Sequence, residues 1–230
     1  MQLSLPPPDR SLDTPSDLHA PSYPTRHYLI ASWLLGAALL CLAAIAGNPG
    51  VEAHELASLK LLRSLGSETL RWLMLAMYQF QIPVLAAVTA AGLALPLRRR
   101  QWRLVAESAV LLLGAMPLDL VLKAAFHRAR PAVDQLVPAH GYSFPSGHTM
   151  SAAVIVGWAL CMILRSSLRR STRMAMACAV VMIVVLVALS RVYLGAHYPS
   201  DVVASCIAAA CWISLCLAYF ETLRPRSLAT

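Results

Sequence analysis

The sequence predicts an all-α integral membrane protein, a six transmembrane helix bundle with both termini cytoplasmic. Three observations predict it. The 230 residues are 58% apolar and only 13% charged, with a mean hydropathy of +0.63, outside the range of an ordinary soluble domain. Six segments come near the roughly 20 apolar residues needed to cross about 30 Å of hydrocarbon. The arginines cluster in the loops that fall on one side of a six-span chain, which the positive-inside rule makes cytoplasmic.

Residues 1–27 carry Pro6, Pro7, Pro8, Pro15, Pro21 and Pro24 and lack a basic stretch leading into a short apolar core. They are expected to form a disordered cytoplasmic tail, not a signal peptide. The membrane domain is expected over 28–220, with 221–230 as a second cytoplasmic tail. Spans are predicted at about 28–47, 72–96, 104–126, 147–165, 174–191 and 201–220. Each must be helical, because lipid offers the backbone no hydrogen-bond partners.

Arg98, Arg99, Arg100 and Arg103 lie between the second and third spans, and Arg165, Arg169, Arg170 and Arg173 between the fourth and fifth. Arg224 and Arg226 follow the sixth. The loops 48–71, 127–146 and 192–200 then face outward together. The net charge of +8 is spread over these clusters and forms no basic face, so no nucleic-acid partner is expected; the bilayer is the partner.

In the first outer loop, Leu56, Leu59, Leu62 and Leu65 recur among His54, Glu55, Lys60 and Arg63, with Gly66 as a stop. This is the pattern of an amphipathic helix, lying on the outer leaflet or capping the bundle. Gln79, Gln81 and Pro83 in the second span are expected to mark kinks and interhelical hydrogen bonds. Asp119 in the third span is costly at membrane depth unless paired. It precedes Lys123 by four residues and His127 follows by four, so one helical stripe carries all three. The six cysteines, Cys41, Cys161, Cys178, Cys206, Cys211 and Cys216, all lie within apolar runs without metal-ligand spacing, so they are expected to pack as small hydrophobes.

Two polar islands interrupt this background, Lys123 to His148 and Ser190 to Asp201. Lys123, Arg128 and Arg130 surround the end of the third span, where Pro131 breaks the helix. Pro145-Ser146-Gly147-His148 opens the fourth, so the amides of Ser146, Gly147 and His148 are unpaired donors of a helix start. Such a terminus among cations is an anion site, for phosphate above all. Arg191 closes the fifth span, and His197 precedes Asp201 across Pro199, which can start the sixth helix. Two histidines, an Asp able to hold one of them and several cations suffice for phosphoryl transfer. One His attacks phosphorus, the other protonates the leaving oxygen, and the cations take up transition-state charge. No acidic cluster of the kind that holds Mg²⁺ is present, so no metal and no organic cofactor are expected.

Together, KAAFHRARP (KX6RP), FPSGH (PSGH) and SRVYLGAHYPSD (SRX5HX3D) resemble the three motifs of the type 2 phosphatidic acid phosphatase superfamily, in order and over roughly 28–220. The resemblance implies His197 as a nucleophile forming a phosphohistidine, Asp201 as its orienting partner and His148 as general acid. It implies Lys123, Arg130, Arg191, the Ser146 hydroxyl and the Gly147 amide as phosphate clamps. His127, Arg128, His140 and Tyr142 share the loop but stand outside the motifs, and Ser190, although in a motif, has no derivable role beyond helix packing.

The implied activity is a lipid phosphate or diphosphate phosphatase, acting on undecaprenyl diphosphate, phosphatidic acid or phosphatidylglycerol phosphate, with a lean to the first. The site would face the periplasm or cell exterior from a bacterial cytoplasmic membrane. A phosphotransferase could use the same residues with another acceptor. A catalytically idle scaffold or lipid transporter is disfavoured by the filled motifs, and a vanadate-dependent haloperoxidase by the short, membrane-bound chain.

Overall fold

The computed structural model describes residues 24–223. The expected tails therefore lie largely outside the described residues, as do Arg224 and Arg226. The described chain forms eight helices: α1 (Thr25–Ala46), α2 (Pro49–Ser64), α3 (Glu68–Arg98), α4 (Trp102–Leu113), α5 (Ala115–Phe126), α6 (Gly147–Arg165), α7 (Arg170–Tyr193) and α8 (Pro199–Thr222). Six spans are long and apolar enough to cross a membrane, α4 and α5 together forming the third. They agree with the six expected segments.

The third span is interrupted at Gly114, near Pro117, a residue type that inside a span is expected to mark a kink. Pro117 has no N–H to give to the carbonyl of Leu113, one turn earlier. Gly114 sits at the junction, and a Cβ there would stand 2.1 Å from the indole of Trp212. That indole donates its Nε1–H to the Leu111 carbonyl at 2.8 Å, so the break lets α8 lie close against the span.

Helix α6 is central, in contact with α3, α4, α5, α7 and α8, while α1 packs along α8. Between lipid-solvated helices there is little hydrophobic drive, and close packing of small side chains holds them together. Ala204, Ala208 and Ala209 of α8 are buried in this way, against Leu39 and Met150 on one side and Trp158 and Leu111 on the other. Trp158 also donates to the Ser108 hydroxyl at 2.9 Å.

Helix α2 caps the bundle. Asn48 accepts from the Gly50 amide and Pro49 occupies the first turn, both favourable at a helix start. Leu59 is fully buried, whereas Leu61 and Leu65 are exposed. Arg63 ties the helix down, donating from Nε to the Tyr193 carbonyl at 2.7 Å and from Nη1 to the Asp134 carbonyl at 2.8 Å. The cap, the 127–146 loop and the α7–α8 turn thus share one end of the bundle. The clusters Arg98–Arg103 and Arg165–Arg173 occupy the other, a helix length away.

Candidate active site

The α5–α6 loop and the α7–α8 turn meet over the start of α6 and enclose a cavity of about 580 Å³. Lys123, Arg130, Gly147, His148, Arg191 and His197 all line it. Six of the eight expected site residues therefore come together from three separate stretches of chain.

His197 is almost wholly buried, at 2% exposure. Its Nδ1 lies 2.8 Å from the Ser143 carbonyl oxygen. A carbonyl can only accept, so Nδ1 carries the proton and Nε2 is left with its lone pair. Nε2 is 3.3 Å from Nη1 of Arg130 and belongs to a ring that lines the cavity. Burial holds the His197 pKa below the ordinary imidazole value, with Arg130 and Arg191 adding to the effect and Asp201 opposing it. The ring is neutral at pH 7.

Asp201 sits beneath His197 and is fully buried. Its Oδ2 lies 3.5 Å from Nδ1, farther than the Ser143 carbonyl. That oxygen also accepts from the Tyr198 amide at 2.8 Å and from the Ser143 hydroxyl. Its Oδ1 accepts from Nη1 of Arg128 at 2.7 Å. Asp201 thus supports His197 partly through Ser143, whose hydroxyl it holds and whose carbonyl faces the ring.

Arg128 is the residue that the motifs leave out and the structure places at the centre. Its Nη2 donates to Glu55 at 2.7 Å, and its Nη1 donates to the Ser200 hydroxyl as well as to Asp201. The guanidinium lies 4.0 Å from the centroid of the Tyr198 ring. Burial works against its charge, but Asp201 and Glu55 outweigh burial and raise its pKa. Glu55 further accepts from the Ser200 amide at 2.6 Å, and Glu52 accepts from the Tyr198 hydroxyl at 2.7 Å. The capping helix therefore reaches the site through two carboxylates. No short-range signal could have revealed this, since Glu55 and Arg128 are 73 residues apart.

The cations lining the cavity are compensated unequally. Lys123 is held by both oxygens of Asp119, at 2.6 and 2.7 Å, and donates to the Pro145 carbonyl at 2.9 Å. The expected stripe holds for this pair. His127 departs from it, ending α5 in a left-handed conformation and stacking edge-on against Tyr142. Arg130 is oriented by three carbonyls, those of Ala196, His140 and Gly141, with no carboxylate of the described residues in contact. Arg191 is 1% exposed, and its Nε and Nη1 have no hydrogen-bond partner among the described residues. Its neighbour is the face of Tyr78, 5.1 Å away. One buried and one half-buried guanidinium beside an imidazole lone pair make a site for an anion.

His148, in the first turn of α6, lies across the cavity near the Tyr78 ring, with centroids 6.3 Å apart. Glycine at 147 lets the ion pair approach the helix start closely. An added Cβ would come within 2.8 Å of Asp119 and 3.2 Å of the Lys123 ammonium, so the ion pair packs directly on the helix start. Ser146 corrects an expectation. Its hydroxyl is fully buried against that of Thr149 at 3.0 Å, and its amide donates to the Ser205 hydroxyl at 2.8 Å. It joins α6 to α8 and does not line the cavity. Ser190 is also buried, donating to the Val187 carbonyl at 2.7 Å within its own helix.

Residues 104–225 match the PAP2 superfamily. The chain belongs to that superfamily. It is 31% identical over 168 residues to the decaprenylphosphoryl-5-phosphoribose phosphatase of Mycobacterium tuberculosis (strain ATCC 25618 / H37Rv), covering 70% of this chain and 75% of the relative. The Mycolicibacterium smegmatis enzyme of the same name is 34% identical over 169 residues, 70% of this chain and 74% of its own. Phosphatidylglycerophosphatase B of Bacillus subtilis is 40% identical over 87 residues, 37% of this chain and 42% of its own. The crystal structure of a transmembrane PAP2 type phosphatidylglycerolphosphate phosphatase from Bacillus subtilis superposes with a TM-score of 0.73 at 23% identity, covering 85% of this chain and 98% of that one. The present chain is a membrane-embedded lipid phosphate phosphatase of this superfamily.

Arg128 should be the costliest of these polar residues to remove. Arg128→Met leaves Asp201 buried without its cation and should lower the unfolding free energy by about 3–5 kcal/mol. Thermal and denaturant unfolding of the purified protein in detergent checks this, with Arg128→Lys expected to recover part of the loss.

Proposed function

We propose that the chain hydrolyses a terminal phosphate monoester on a membrane lipid through a phosphohistidine formed at His197. The observation that carries the reading is the buried Arg191 guanidinium, which has no hydrogen-bond partner among the described residues, in the same cavity as the His197 lone pair. A phosphate held by Arg191 and Arg130, beside Lys123, would present its phosphorus to Nε2, with its negative charge supplying the partner the two guanidiniums lack.

In the first step Nε2 attacks phosphorus, a P–N bond forms and the P–O ester bond breaks. The leaving oxygen takes a proton from His148, so the dephosphorylated lipid departs as an alcohol. The proton stays on Nδ1, hydrogen-bonded to the Ser143 carbonyl, and the buried negative charge of Asp201 offsets the positive charge growing on the ring. In the second step water attacks phosphorus and gives a proton to the now neutral His148. The P–N bond breaks, inorganic phosphate leaves and both histidines return to their starting states.

The relatives named above support a monoester carried on a lipid headgroup, and they shift the substrate away from the expected undecaprenyl diphosphate. The basic clusters at the far end of the bundle support a cytoplasmic location for that end. The site then faces the periplasm or cell exterior from a bacterial cytoplasmic membrane.

The test is phosphate release by the detergent-purified protein in EDTA, from phosphatidylglycerol phosphate, phosphatidic acid and undecaprenyl diphosphate in parallel. Release should be fastest from phosphatidylglycerol phosphate, unaffected by the chelator, and reduced by roughly a thousandfold or more in His197→Ala, as for loss of a nucleophile. Full activity in that variant would remove His197 from the mechanism.

The pH profile follows from the burial of His197. Its neutral form attacks and its pKa lies below 6.5, so activity should persist as pH falls to 6.5 and be lost only below it. Asp201 raises that pKa, so Asp201→Asn should move the acid limb to lower pH while reducing the rate. Comparing the two proteins on one substrate cancels the ionisation of the substrate itself.

A further inference from the structure

The cavity is layered along the membrane normal. His140 and Pro138 lie at its outer rim, and the charged groups around His197 form the next layer. Below them, Gln81 stands one turn beyond Tyr78 on α3, and Ser151 one turn beyond His148 on α6. Both helices run inward from the site end, so both residues are displaced in the same direction, toward the bilayer centre. Leu85 and Met116 form the apolar floor past them.

Gln81 is 4% exposed and its Oε1 has no hydrogen-bond partner. The interhelical bond expected for it is absent: its carboxamide makes no hydrogen bond with any described residue, and neither does the Ser151 hydroxyl. A buried amide at membrane depth with nothing to bind costs free energy that an apolar residue would avoid. Both groups line the substrate cavity on the lipid side of the general-acid candidate His148, where the alcohol part of a phosphate ester must leave.

We infer that Gln81, with Ser151, forms a subsite for a free hydroxyl on the leaving alcohol, so that the substrate is a lipid phosphate with a polyol headgroup, glycerol or sugar, between phosphate and lipid. The inference rests on the phosphatase reading and narrows its substrate class. By turning about its last torsion the carboxamide can offer such a hydroxyl either its nitrogen as donor or its oxygen as acceptor. A lipid phosphate without such a hydroxyl leaves the amide unpaired and is rejected on that ground.

The experiment compares phosphatidylglycerol phosphate with an analogue whose headgroup glycerol is replaced by 1,3-propanediol, lacking only the hydroxyl. Both are presented to the full chain in mixed micelles. Wild type should favour the hydroxylated lipid by about tenfold in kcat/KM, the scale of one neutral hydrogen bond. Gln81→Met, close in size and helix-compatible, should bring the ratio to within about twofold. Ser151→Ala should narrow it too, which keeps the test decisive if the Gln81 variant does not fold. Equal rates in wild type, or a preference unchanged in the variants, would overturn the subsite and leave the phosphatase reading standing. No phosphate from either lipid would overturn that reading itself.

Discussion

Every buried cation at the outer end of this bundle has to be compensated, and the way each is compensated organises the site. Arg128 is neutralised twice, by Asp201 from α8 and Glu55 from α2, and Lys123 once, by Asp119 on its own helix. Among the described residues, Arg130 and Arg191 have no carboxylate in contact. In a low-dielectric surround, an unpaired guanidinium is stable only if something else supplies negative charge. The protein thus completes the charge balance of Arg128 and Lys123 and leaves open that of the two guanidiniums that face the cavity. A phosphate fills the difference.

The same economy explains the architecture. Helix α7 delivers Arg191 in its last turn, and a short turn returns the chain into α8 with His197 just ahead of Asp201. The start of α6 approaches Lys123 and Asp119 so closely that any side chain at 147 would have to displace their ion pair. Ser205 bonds both the amide and the carbonyl of Ser146, so α6 and α8 are fastened at their first turns. The two histidines are therefore placed by rigid helix ends, with the capping helix α2 locking the turn between them from above.

The spans, the clustering of basic residues and the identity of the cavity-lining cations were legible in the sequence, because each leaves a local signature. Hydropathy marks the spans, and fixed spacings mark Lys123, Arg130, Arg191 and the two histidines. What the sequence hid are contacts across chain distance. Glu55 and Arg128 meet over 73 residues, and Ser143 reaches His197 over 54. No spacing rule announces either. Ser146 shows the opposite failure: it stands at a helix start suited to an anion, yet its side chain turns to Thr149 and its amide to Ser205. Gln81 read as an interhelical tie because amides in spans usually are. Only the packed structure shows that no neighbouring group meets it.

The most direct test is to quench the enzyme in alkali during turnover of a lipid phosphate and locate the phosphate by peptide mass spectrometry, since phosphohistidine survives base. The phosphate is predicted on the peptide carrying His197, at that residue. Phosphate on His148, or on neither histidine while inorganic phosphate is being released, would contradict the assignment of His197 Nε2 as the attacking atom.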